Sequence, residues 1–194
     1  MPCMSGQFNK SITVCCRHQM IFLNTTTALI PNYRRHCIEI WDRVANTLLP
    51  YCGKCGQGGK VFSGNCEEEV MLRSPYGIAY DEKETVFTSL DRHNVILAIN
   101  ISNLMAVEFT STSRRPQRLH FYPNFGDLVV ALDNGLGVID TRSNTKMVLV
   151  QGDRMEKAEG WSGPLLESSD IRRISGLIRL DEFTWIMADS GRIA

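Results

Sequence analysis

An excess of charge of either sign is missing from this sequence. Lysine and arginine number 21 and aspartate and glutamate 21, so the formal net charge is zero. A zero total removes any broad electrostatic argument for a nucleic-acid or anionic-membrane binder and leaves only local patches to consider. Long apolar runs are missing too. Met20-Ile-Phe-Leu23 falls far short of the about 20 residues a span needs, so no membrane span is expected. The opening, Met1-Pro-Cys-Met-Ser-Gly-Gln-Phe8, has no basic leader followed by an apolar run. Either the protein is intracellular or its export signal lies outside this chain. Nucleophile elbow, phosphate loop, metalloprotease helix and dinucleotide fingerprint are all absent. Histidine is scarce, with only His18, His36, His93 and His120. No catalytic residue and no cofactor are expected.

Cysteine, by contrast, is abundant. Cys3, Cys15, Cys16, Cys37, Cys52, Cys55 and Cys66 all fall early in the chain, and an odd count leaves one thiol free or paired with another chain if the protein is secreted. Three N-glycosylation patterns, beginning at Asn9, Asn24 and Asn100, tilt the reading towards an extracellular protein. The rest of the composition, 43% hydrophobic and 22% charged, is that of an ordinary globular chain.

A strand, turn, strand unit recurs. It reads Val86-Phe-Thr-Ser-Leu-Asp91-Arg-His-Asn-Val-Ile-Leu-Ala-Ile-Asn100 and returns as Leu128-Val-Val-Ala-Leu-Asp133-Asn-Gly-Leu-Gly-Val-Ile-Asp140. A weaker copy runs from Leu29 to Asp42, and a last one starts at Thr184 and stops three residues into its second strand. Asp42 to Asn46, Asn100 to Leu104 and Asp140 to Asn144 then mark a further turn, each followed by a third strand. Short strands at 76–80, 118–122 and 175–180 precede the last three copies. Four short strands per unit, apolar and β-branched with polar turns, make a propeller blade. A generic antiparallel sandwich is the alternative, but there the whole four-strand unit would not recur. The expected fold is all-β, an incomplete β-propeller segment of about three blades plus part of a fourth. Blades are placed at 18–50, 75–110, 117–150 and 174–194, with long inter-blade loops at 51–74 and 151–173. Such an open segment is completed either by a larger polypeptide or by another chain.

Ser74-Pro-Tyr-Gly-Ile-Ala-Tyr-Asp81, with Asp91-Arg-His-Asn-Val-Ile96 and the final Ala188-Asp-Ser-Gly-Arg-Ile193, resembles the NHL repeat. That family opens its blade with Pro-x-Gly-Ile-Ala-Val-Asp and turns at Asp-x-x-Asn-x-Arg-Ile. The resemblance implies NHL-like blades in a ring that usually closes with about six. It implies no single function, because members bind proteins or RNA and some are metal-dependent lyases. Position 34 departs from the pattern, carrying Arg for Asp.

Several residue groups are candidates for function. Cys52-Gly-Lys-Cys55 with Cys66 and Cys37 has a zinc-like pair spacing but lacks a matching second pair, so no metal is assigned. In an oxidising compartment a disulfide from Cys55 or Cys52 to Cys66 is the stronger reading, worth about 2–3 kcal/mol. Cys15 and Cys16 point to opposite faces of any strand, leaving one to pair elsewhere, for instance with Cys37 or Cys3. Arg34, Arg35 and His36, with Arg92 and His93, occupy matching blade turns and mark an interaction surface, with His36 and His93 in equivalent positions. Trp161, in a Gly-rich loop, is an exposed anchor or packs on its own blade; Trp41 and Trp185 fall in or near strands. The function these features favour is a non-catalytic protein-interaction or structural scaffold with a protein partner. RNA binding is the alternative and a metal-dependent lyase the third reading.

Overall fold

Residues 85–90 and 95–100 carry apolar or small side chains at nearly every position and are covered on both faces. Residues 105–111 alternate instead, with one face open to water. That contrast sets the architecture of the computed structural model, which describes residues 19–133, 135–151, 174–179, 185–189 and 192–193. The first sheet holds β1 (Ile21–Phe22), β2 (Thr27–Asn32), β3 (Cys37–Asp42) and β4 (Thr47–Cys52) in that order. The second takes β5 (Gly64–Asn65), β6 (Pro75–Tyr80), β7 (Thr85–Leu90), β8 (Val95–Asn100) and β9 (Met105–Ser111), with order β5-β9-β8-β7-β6. The third is β10 (Pro116–Tyr122), β11 (Asp127–Leu132), β12 (Gly135–Asp140) and β13 (Thr145–Gln151). The fourth is β14 (Ile174–Arg179), β15 (Trp185–Asp189) and β16 (Arg192–Ile193). All strand pairs are antiparallel, and none of the four sheets closes on itself. Packing passes from sheet to sheet through β6 on β2, β10 on β6 and β14 on β10, a propeller-like succession.

The recurring Asp or Asn has a physical cause. Asp42 Oδ1 accepts from the amides of Val44 and Ala45, Asn100 Oδ1 from Ser102 and Asn103, and Asp140 Oδ1 from Arg142, all at 2.8–3.1 Å. Each caps a four-residue turn whose last member, Asn46, Leu104 or Asn144, has positive φ. The preceding hairpins correct one expectation. Asn32 pairs Cys37 and Leu90 pairs Val95, so both turns have four residues, closed by His36 (φ 62°) and Asn94 (φ 56°). His36 therefore matches Asn94, and His93 matches Arg35; the two histidines stand one position out of register. In the third sheet Leu132 pairs Gly135, and the turn shortens to two residues.

Two apolar layers lie between the sheets. Leu29, Ile38, Ile78, Val86 and Leu97 share one with Cys52, Cys66, Val70 and Leu72. Phe87, Ile96, Leu119, Leu128 and Val130 form the other, where the Phe87 ring meets Phe109 at 5.2 Å and Phe121 at 6.0 Å. Between the second and third sheets the backbones come very close at Gly77. Its amide donates to Ser89 Oγ (2.7 Å), and that hydroxyl donates to the Gln117 carbonyl (2.6 Å). Gln19 adds a second link, its Oε1 accepting from Ile78 N (3.4 Å) and Leu119 N (3.2 Å) while its Nε2 donates to Leu119 O (2.5 Å).

Segment 53–74 is not the structureless crossing its composition suggests. It supplies β5 as a fifth strand on β9, bridges Val61 to Met71, and places Cys66, Val70 and Leu72 fully inside. Two disulfides hold it, Cys37–Cys55 and Cys52–Cys66. Of the two loop closures considered for Cys66, Cys52 is the partner, and Cys37 is joined to Cys55 rather than to Cys3, Cys15 or Cys16. Those three cysteines lie outside the described residues.

Burial also reaches Tyr51 on β4, whose phenol is pushed up to about 12, first by desolvation and then by Tyr80. An unfolded chain loses that proton near pH 10, so stability is full below pH 10 and is lost as pH rises towards 12. A tyrosinate absorbance titration should show a late ionisation that coincides with unfolding, and Tyr51→Phe should diminish it. Ionisation of all tyrosines in one step near pH 10 would contradict this burial.

Candidate functional site

The disulfides fasten segment 53–74 beside the β2–β3 turn. The Gly56 amide donates to Arg35 O (2.6 Å), Gly59 N to Leu72 O (3.1 Å), and Ser74 N to His36 Nδ1 (3.2 Å). The β7–β8 turn adjoins it, tied to the chain leading into the third sheet through Thr112 N and Asn94 O (2.7 Å). Arg115 follows there, its carbonyl accepting from Asp133 N (2.9 Å). These loops border an open cleft of about 470 Å³. Lys60 and Arg73 line it from segment 53–74; Asp91, Arg92 and His93 line it from the β7–β8 turn; Tyr33 and Arg115 complete it.

Arg92 Nε donates to the Tyr33 hydroxyl at 3.1 Å, and its guanidinium lies 5.9 Å from the centre of the Tyr33 ring. Tyr33 in turn meets the edge of Tyr76 at 6.1 Å. His93 packs on Phe62 at 5.2 Å, and its Nε2 is buried with no hydrogen-bond partner among the described residues. Desolvation first, then Lys60 and Arg73, hold its pKa below the usual histidine value. The ring is therefore neutral at neutral pH, though it stands among permanent cations.

The residues marked from sequence as one surface divide here. Arg92 and His93 enter the cleft, whereas Arg34, Arg35 and His36 do not line it. Arg35 instead reaches the buried Glu39 at 2.5 Å, and Asn32 Nδ2 completes that carboxylate at 2.8 Å. A buried carboxylate needs such pairing, so Arg35 has a structural partner. Trp161 lies outside the described residues, as do His18 and Asn9. Trp41 is on β3, its Nε1 buried without a partner among the described residues. Lys60 and Arg73 were invisible as site residues, since only the cystine-held fold of 53–74 brings them to Arg92.

Cys37, Glu39 and Cys55 lie within 4.8 Å of one another and could in principle hold a metal. The two sulfurs are bonded to each other, however, and a cystine offers no thiolate. The donor set does not fit a metal while the disulfide stands. Of the glycosylation patterns, Asn24 is exposed and its Oδ1 accepts from Thr26 Oγ1 at 2.9 Å. Asn100 is partly covered, with Nδ2 3.5 Å from Glu84.

No protein-family model matches the chain, and no curated protein sequence matches it. Among solved structures it is similar to a chain in a crystal structure of a nidogen/laminin complex, with TM-score 0.62 and 14% identity over 93% of this chain and 60% of that one. It also aligns with Kuenenia stuttgartiensis hydrazine synthase at TM-score 0.49 and 16% identity, over 65% of this chain and 32% of that one. At 14% identity the first likeness is one of fold, and this chain spans 60% of that chain's length. No helix among the described residues is long and apolar enough to cross a membrane.

Proposed function

We propose that this chain is a non-catalytic scaffold of NHL-like propeller blades that docks a protein partner through the cleft face. Lys60, Arg73, Arg92 and Arg115 converging on one concavity is the observation that carries the reading. A partner presenting an acidic group is attracted and oriented by such a field. The likeness to a chain of a nidogen/laminin complex supports protein docking only as far as a shared fold can. Two disulfides and the exposed Asn24 pattern support an extracellular setting.

The experiment is proximity labelling on cells displaying the intact chain, comparing wild type with Arg92→Glu/Arg115→Glu. Both side chains are exposed, so the variant should keep its thermal midpoint. Labelling of protein partners should fall about tenfold or more. An unchanged partner set in the folded variant would sink the docking reading. RNA adducts at low salt that vanish with the same reversal would favour the nucleic-acid alternative.

A further inference from the structure

Four permanent cations and one carboxylate, Asp91, share the cleft lining. The ion pairs Arg35–Glu39 and Arg142–Asp140 use none of those cations. Cations gathered around one small space and outnumbering the carboxylate there raise the potential and favour an anion. His93 also lines the cleft, and its Nε2 is buried with no partner among the described residues.

We propose that the cleft receives a tetrahedral oxyanion ester, a phosphate or sulfate monoester carried on the docked protein partner, in preference to a bare carboxylate. The inference rests on the docking reading and narrows it. Cations approach from three separate stretches of chain, around Lys60 and Arg73, Arg92, and Arg115. A tetrahedral group offers three outer oxygens to donors arriving from different directions, and guanidinium forks suit it. A carboxylate offers two oxygens in one plane. A cleft of about 470 Å³ has room for an esterified side chain.

His93 makes the binding proton-linked. Lys60 and Arg73 disfavour its protonation, Arg92, Arg115 and Asp91 share its surroundings, and Phe62 covers its ring. A bound oxyanion offsets the cations, so protonated His93 becomes a donor to it. Affinity then rises as pH falls below the ordinary histidine value of about 6.5. A sulfate ester keeps its charge across that range, whereas a phosphate ester takes up a proton near pH 6 and partly cancels the gain.

Calorimetric titration of the disulfide-intact chain with tyrosine O-sulfate, O-phosphotyrosine and glutamate tests this. At least one ester should bind about tenfold more tightly than glutamate, and Arg92→Ala or Arg115→Ala should weaken it several-fold. Selectivity between the esters identifies the source. Tyrosine O-sulfate should bind about fivefold more tightly near pH 5.5 than near pH 7.5, and His93→Gln should flatten that dependence. Glutamate binding equal to both esters, or no saturable binding of either ester, would overturn the inference. An unaltered pH dependence in His93→Gln would remove His93 from it. Loss of partner labelling in Arg92→Glu/Arg115→Glu without ester binding would leave docking standing and this inference refuted.

Discussion

Gly77→Ala is expected to cost about 3 kcal/mol or more, because the new methyl has no free space and its nearest neighbour is backbone. A Cβ built at Gly77 lies 2.0 Å from the Gln117 carbonyl oxygen, 2.9 Å from Ser89 Oγ and 3.0 Å from Arg118 Cα. Gln117 and Arg118 belong to β10 in the next sheet, so relief requires the second and third sheets to part. Parting them would stretch the Ser89–Gln117 hydrogen bond and expose part of the Phe87 layer. Gly56 is the control. A Cβ there meets nothing within 4 Å, and only its φ of 87° opposes a side chain, at about 1 kcal/mol. Urea unfolding of both variants checks the contrast. A Gly77→Ala loss no larger than that of Gly56→Ala would mean that the sheets do not meet as described.

The second large effect concerns the disulfides. Cys52→Ala/Cys66→Ala should destabilise the protein by about 3 kcal/mol, from the loop closure that the bond between residues 14 apart supplies. Both sulfurs are fully buried beside Val70 and Leu72, so the truncation leaves a small cavity as well. Cys37→Ala/Cys55→Ala should cost a similar amount across 18 residues. It should also weaken oxyanion binding, since the stretch leading to Lys60 loses its anchor beside the β2–β3 turn. Guanidinium unfolding with and without reductant measures both, and the native protein should shift in mobility on reduction. Seven free thiols in unreduced protein, with midpoints insensitive to either substitution, would contradict the pairing.

Much of the sheet architecture was legible because its causes are local. Short β-branched and apolar runs such as 85–90 and 95–100, bounded by turn residues, read as strands, and the Asp42, Asn100 and Asp140 turns announce themselves by side chains that cap nearby amides. Gly77 was visible as a motif glycine, but nothing along the chain said that it faces Gln117. The one-residue error between His36 and His93 arose because a basic turn with histidine reads the same in either register. Strand pairing and the positive φ at the turn's last residue separate the two.

What the sequence determined by itself is the all-β, repeating, antiparallel character, since that follows from periodicity and turn chemistry over a few residues. Tertiary structure alone decided which cysteines join, that 53–74 folds and adds a strand, that Arg35 is engaged by buried Glu39, and that Lys60 and Arg73 meet Arg92, His93 and Arg115. The physical reason is range. A strand or a capped turn is specified by neighbours a few positions away, whereas a disulfide or a cleft depends on the distance between segments that only packing brings together.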